Sequence, residues 1–282
     1  MTHAPLIHPL PHPIDLLALQ QHDPARFPLL MESTASGTAQ GRWSLLLAAQ
    51  GDSLRLDADG QVRDQHDAVH AGSFLQVLDR AWQAARLPHD GSHSLPFRGG
   101  WALLLDYEVA SQIEPVLPAR ARADGRPTAL ALRCPAALLH DHHNDASFVV
   151  AEAGEQALLD TLVAQACAAL PDAGQGWQPP RQVSEDAPER FTDGVDRVID
   201  YLRAGDVFQV NLSRRWSAQF AAPVSPQALY AQLRRANPAP FAGLFSAHGR
   251  HVVSSSPERL VSVHAGHAQT RPIAGTRPRF EG

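Results

Sequence analysis

Residues 171–188 read Pro-Asp-Ala-Gly-Gln-Gly-Trp-Gln-Pro-Pro-Arg-Gln-Val-Ser-Glu-Asp-Ala-Pro, a run so dense in proline, glycine and polar side chains that it reads as a linker. Any fold for this chain must accommodate a break there. The stretch divides the sequence into an N-terminal unit, 1–175, a linker, 176–187, and a C-terminal segment, 188–282. A length of 282 residues is compatible with two domains, at about 100–200 residues each.

Apolar spacing assigns elements on both sides. Trp43 to Ala48 and Leu54 to Leu56 read as strands around the turn residues Gly51 and Asp52. Phe74, Leu75, Leu78, Ala81, Trp82 and Ala85 recur at helical spacing and predict a helix over 73–86. Phe97-Arg-Gly-Gly-Trp101 opens an apolar stretch, and its glycines imply close backbone approach or a bulge. Ala129 to Leu139 and Phe148 to Ala151 read as paired strands, and 155–170 as a helix. Beyond the linker, Phe191, Val195, Val198, Ile199 and Leu202 form one helical stripe, started by Pro188 and ended near Gly205. Val207 to Phe220 alternates as a strand would. Ser225 caps a second helix that runs to Arg235. Strands then follow, joined at His248-Gly249 and Ala265-Gly266.

Composition removes several function classes. The chain is 44% hydrophobic and 19% charged, which is a globular balance. No apolar run reaches the ~18 residues of a membrane span, and the first residues lack the pattern of a secretory signal. Two cysteines, Cys134 and Cys167, cannot staple a chain this long; they are expected to fill apolar core positions in a reduced, cytoplasmic protein. There is no lysine, so a Schiff base, a P-loop lysine and an amine nucleophile are excluded within this chain.

Charge is unevenly placed. Residues 201–282 hold ten arginines and three acids, a net of +7, within a chain of net −5. This asymmetry fits a small anionic ligand, or a basic part docked on an acidic one. Nucleic acid is not expected, because no arginine run is interleaved with aromatic residues.

Two short stretches offer chemistry. In Ser254-Ser-Ser-Pro-Glu-Arg259, Glu258 follows a strand and could act as a general acid or base, or pair with arginine in an ordinary turn. Pro272-Ile-Ala-Gly-Thr276 offers backbone N–H groups and a hydroxyl beside Arg271, Arg277 and Arg279, suited to a carboxylate. Asn237-Pro-Ala-Pro-Phe241 is a rigid loop or a helix terminator. The cluster His140, Asp141, His142, His143 and Asp145 reads as a solvent-exposed turn rather than a metal site.

Together these pieces resemble a family. Ala204-Gly-Asp-Val-Phe-Gln-Val-Asn-Leu-Ser213 is similar to the AGDxFQVNLS stretch of chorismate-utilising amino-transfer enzymes. Asn237 to Phe241, Ser256-Pro-Glu-Arg259 and Arg271-Pro-Ile-Ala-Gly-Thr-Arg-Pro-Arg279 follow in the family's order. Leu29-Leu-Met-Glu-Ser33, Arg42-Trp-Ser44 and Phe97 to Trp101 resemble its companion domain less specifically. Two branches compete, the large components (component I) of aminodeoxychorismate synthase and of anthranilate synthase. Asn211 favours the first. Ala274 departs from it, because many of its members carry an attacking lysine there.

The resemblance implies an α/β fold of the α+β type, a sandwich of antiparallel sheets flanked by helices and incomplete at its C-terminal end. It implies that chorismate and ammonia give 4-amino-4-deoxychorismate for para-aminobenzoate and folate synthesis, with ammonia from a glutamine amidotransferase subunit. Glu258 would move protons, Ala274 would leave room for direct attack by ammonia, and Gly275 and Thr276 would contact the substrate. Mg2+ is expected, with ligands beyond the end of this chain. Ser33, Gln40, Gly41, Arg42, Trp43, Pro240, Phe241 and Ala242 align with a tryptophan pocket, or else pack as core. The truncated chain is expected to be inactive alone.

Overall fold

The computed structural model describes residues 4–35, 41–87, 95–118, 124–169, 177–264, 266–273, 275 and 278. In chain order the strands are β1 (Leu6–Pro9), β2 (Leu29–Glu32), β3 (Trp43–Ala48), β4 (Ser53–Leu56), β5 (Val62–Asp64), β6 (Val69–His70), β7 (Gly100–Leu105), β8 (Ala129–Cys134), β9 (Ala136–Asp141) and β10 (Ala146–Ala151), then β11 (Gln182–Glu185), β12 (Trp216–Gln219), β13 (Phe241–Ala247), β14 (Arg250–Ser256), β15 (Ser262–His264) and β16 (His267–Gln269). The helices are α1 (Leu16–His22), α2 (Phe74–Ala85), α3 (Ala110–Ile113), α4 (Gln156–Cys167), α5 (Pro188–Ala204) and α6 (Pro226–Ala236).

Single residues decide where the chain changes sheet. The apolar run from Ala129 is broken at Pro135, which has no N–H to give to a ladder. Before it, β8 lies in a five-stranded antiparallel sheet of order β6-β5-β4-β8-β7; after it, β9 lies in a seven-stranded one of order β1-β10-β9-β3-β2-β13-β14. Gly51 and Asp52 make a second crossing. The strands on either side of them, β3 and β4, belong to different sheets and do not form a hairpin.

The two sheets pack face to face. Leu47, Ala137, Leu139, Val150 and Phe245 of the larger sheet meet Ala102, Leu130, Leu132 and Cys134 of the smaller one. On its other face the larger sheet is covered by α1, α4 and α6, through Leu16, Leu19, Leu158, Leu162 and Tyr230. The smaller sheet is covered by α2, through Phe74 and Val77. The result is a sandwich of antiparallel sheets flanked by helices. Ser73 closes a capping box on Gln76 and fixes the start of α2.

The break at 176–187 is not a break in the sheet. β13 and β14, from the C-terminal segment, extend the N-terminal sheet by antiparallel pairing of Leu244 with Leu30 and Ala242 with Glu32. The buried pair Arg250–Asp106, at 2.7 Å, fastens β14 to the end of β7. His248 and Gly249 turn the β13–β14 hairpin with positive φ, as a type I′ connection requires. Gly99, at φ +111°, lies so close to Glu152 that a side chain at that position would collide with it, which accounts for one glycine of the Phe97–Trp101 stretch.

Two expectations are corrected. Val207–Phe220 is not one strand. Only Trp216–Gln219 pairs, with β11, itself formed from what reads as linker. Cys134 is fully buried, but Cys167 is exposed at the end of α4 and fills no core position. Residues 6–9 form the edge strand β1.

Candidate functional site

One polar row crosses the helix-covered face of the larger sheet. Ser147 lies opposite His140, and His140 opposite Ser44. Extending the Met31–Leu45 register by one residue sets Glu32 beside Ser44, and Ala242 lies opposite Glu32. Strand alternation puts this row on the same face as the buried Leu30, Leu46, Leu138, Val149 and Leu244. It marks the place where the apolar core ends.

Hydrogen bonds join the row across the chain. The Ser33 N–H donates to Ser44 Oγ at 3.2 Å, and the Ser33 hydroxyl donates to the Pro240 carbonyl at 3.0 Å. Thr34 and Ala239 exchange hydrogen bonds beside them. From α6, Arg234 pairs with Glu32 at 2.9 Å. Burial, with the Glu32 charge next to it, pushes the Tyr230 phenol well above its ordinary value. Arg234–Glu32 and Arg250–Asp106 also show where part of the positive charge of residues 201–282 goes: onto acids of the N-terminal unit.

The start of β3 is held by a second ion pair. Arg42 Nη2 lies 2.8 Å from Asp141 Oδ2, and its guanidinium stacks on Trp43. That contact holds the Asp141 carboxyl far below the usual carboxylate range, helped by Asn144 and the His143 N–H. The hairpin anchored this way sets His142 Nε2 at 2.8 Å from Ser44 Oγ.

The sheet thus gathers Ser33, Arg42, Trp43, Pro240, Phe241 and Ala242 at one end, with Gly41 adjoining. Gln40 lies outside the described residues. Glu258 stands at the same end. Ser256, the last residue of β14, pairs with Phe241, and its hydroxyl and the Glu258 backbone close the next turn. Arg259 stacks over Phe241. A single strand, β13, therefore separates Glu258 from the Ser33–Pro240 junction. The Glu258 residue is exposed on the sheet rim.

Other expected positions are not enclosed. Gly275 is exposed, with open space around it among the described residues, and Ala274 and Thr276 lie outside them. In the 204–213 stretch Gly205 ends α5 at φ +80°, and Phe208 is fully exposed. Among the described residues no three His, Cys, Asp or Glu side chains group to hold a metal ion. No described helix is long and apolar enough to cross a membrane.

Sequence reasoning missed Glu32–Arg234 and Ser44–His142. Ser44 and His142 are 98 residues apart, and only the β3–β9 register brings them together. The acid in Leu30-Met-Glu-Ser33 was the available signal for the first.

Comparison with known proteins gives the fold a context. Anthranilate synthase component 1 of Pseudomonas aeruginosa is 31% identical over 277 residues, covering 89% of this chain and 54% of that protein. Aminodeoxychorismate synthase component 1 of Streptomyces lividans is 29% identical over 268 residues, covering 90% and 54%. The chain therefore spans about half the length of these relatives. The crystal structure of anthranilate synthase component I from Streptococcus pneumoniae superposes with a TM-score of 0.66 at 24% identity, covering 82% of this chain and 54% of that one. The family model for chorismate binding enzymes matches residues 29–282, and the chain belongs to that family.

Proposed function

We propose that the protein is component I of aminodeoxychorismate synthase, converting chorismate and ammonia to 4-amino-4-deoxychorismate, with ammonia supplied by a glutamine amidotransferase subunit. The observation that carries this reading is Asn211, within Gln209-Val-Asn-Leu212. In this reading Glu258 protonates the departing C4 hydroxyl, which leaves as water. Ammonia forms the new C–N bond and gives up a proton. Gly275 and Thr276 contact the substrate. Ala274 leaves the space that a lysine would occupy, and a chain without lysine makes no covalent adduct through an amine. Mg2+ would serve as the metal, as is typical of the family.

The Ser33–Pro240 junction supports a second element. Ser33, Gly41, Arg42, Trp43 and Pro240 to Ala242, with Gln40, would form an amino-acid pocket taking tryptophan, as inhibitor or structural ligand. Specific observations favour anthranilate synthase component I as the other branch: Ala274 and the 31% identity to the Pseudomonas aeruginosa relative.

The test is chemical. The full-length gene product is incubated with chorismate, Mg2+ and ammonium, and the product is identified by chromatography. The expected product is 4-amino-4-deoxychorismate; anthranilate would overturn the assignment. The 282-residue chain alone is expected to give neither.

A further inference from the structure

The β9–β10 hairpin reads as an exposed turn, and His142 and His143 are exposed, whereas Asp141 is buried and His140 half-buried. Yet one of its imidazoles reaches a buried group. Ser44 is 3% exposed, and its hydroxyl stands between the Ser33 N–H and His142 Nε2. We infer that His142 is a positioning residue for the Ser33–Pro240 pocket, fixing the Ser44 hydroxyl, and through it the Ser33 backbone, while its Nε2 is unprotonated. The inference rests on the reading of that junction as an amino-acid pocket.

The valence of one hydroxyl carries the argument. Ser44 has one hydrogen and two lone pairs. It accepts from the Ser33 N–H, so its hydrogen is free to go to an unprotonated Nε2. A protonated ring can only donate. Ser44 would then accept twice, and its hydrogen would need another acceptor in a buried place. Ser33 is the residue whose hydroxyl also holds Pro240, so a change at Ser44 reaches both sides of the pocket.

The surroundings keep the ring in place and oppose its charge. The His142 N–H donates to the Arg42 carbonyl at 2.8 Å, and Asp141 ties the hairpin to the Arg42 guanidinium. The His140 ring, from β9, makes an edge contact at 4.6 Å. Partial burial lowers the His142 pKa below its ordinary value, and the His140 and His143 positions add to this. Glu32 from β2 and Asp141 act in the opposite direction. The neutral form is therefore kept to lower pH than in a free histidine. Affinity should be full at neutral pH and should fall as pH drops through that lowered value.

The experiment is a calorimetric titration of the 282-residue chain with L-tryptophan between about pH 7.5 and about pH 5. Wild type is compared with His142→Gln and His142→Phe, and each variant is checked for fold by circular dichroism. Glutamine can accept from Ser44 but does not titrate; phenylalanine can do neither. Wild-type affinity is expected to fall about tenfold on acidification, the worth of one hydrogen bond. His142→Gln should bind nearly independently of pH, and His142→Phe about tenfold more weakly throughout. A flat wild-type profile, or a wild-type profile retained in His142→Gln, overturns the role of His142 while leaving the pocket standing. A folded wild type that binds no tryptophan at any pH overturns the pocket reading and the inference with it.

Discussion

The helices α2 and α5 carry the same kind of apolar stripe and meet opposite fates. In α2, Phe74 is 0% and Val77 4% exposed, pressed against the smaller sheet. In α5, Val195 is 36%, Ile199 38% and Leu202 43% exposed, and no residue of the helix is buried. Helical spacing identifies which face of a helix is apolar, but not whether a partner for that face lies nearby. The N-terminal unit supplies its own partners: two sheets and the helices on them. Around α5 and the 204–213 stretch, the described residues supply little. The C-terminal segment is itself divided, since α6, β13 and β14 pack with the N-terminal unit, whereas among the described residues none of the buried core comes from α5, β11 or β12.

The largest expected effect tests this contrast directly. Phe74→Ala should cost about 3–5 kcal/mol in urea unfolding, through lost burial and a cavity. Ile199→Ala in the same chain should cost less than about 1 kcal/mol, because its side chain is already wet. Equal losses would mean that α5 is packed in solution, and the contrast would fail.

A smaller effect asks where the boundary of the stable unit lies. Arg250 and Asp106 have side chains only 10% and 12% exposed, and they join β14 to the end of β7. Arg250→Ala removes that partner from Asp106, and a loss of about 1–3 kcal/mol is expected for a part-buried charged hydrogen bond. If β13 and β14 belong to the same cooperative unit as the N-terminal sheets, the whole transition shifts as one. A separate early transition, with the rest unmoved, would put the boundary back at the linker.

The parts of the fold that could be read from sequence are local. Ser73, Pro188 and Ser225 start helices, Gly205 ends one, and His248-Gly249 turns a hairpin, because each acts through its own backbone. Hairpin partners, such as β9 with β10 and β13 with β14, were legible, but partners distant in sequence were not. The alternation over 207–220 marks a two-faced segment, but only Trp216–Gln219 finds an edge to pair with. The pairing of β2 with β13 joins residues about two hundred positions apart, and no local pattern encodes that choice. The candidate site follows the same rule. Its residues were named by resemblance, whereas Glu32–Arg234 and Ser44–His142 depend on register between distant strands. The composition of 171–188 reads as a break, but the larger sheet draws β13 and β14 from beyond it.

The smallest effect separates local cost from global consequence. Ser225 caps α6, its hydroxyl accepting from the Ala228 N–H at 3.3 Å, and α6 buries Tyr230 in the helix-side core. Ser225→Ala should therefore lower global stability by about 1 kcal/mol. Gly205 ends α5 at φ +80°, where alanine is strained by a comparable amount, about 1 kcal/mol. Because no residue of α5 is fully buried, that strain should be relieved by fraying of its last turn. Hydrogen exchange should then show faster exchange over Tyr201–Asp206 in Gly205→Ala, with the urea midpoint unmoved. Ser225→Ala should move the midpoint. Two substitutions of similar local cost would thus be told apart by what each helix touches. A shifted midpoint in Gly205→Ala would show that α5 contributes to the stable unit after all.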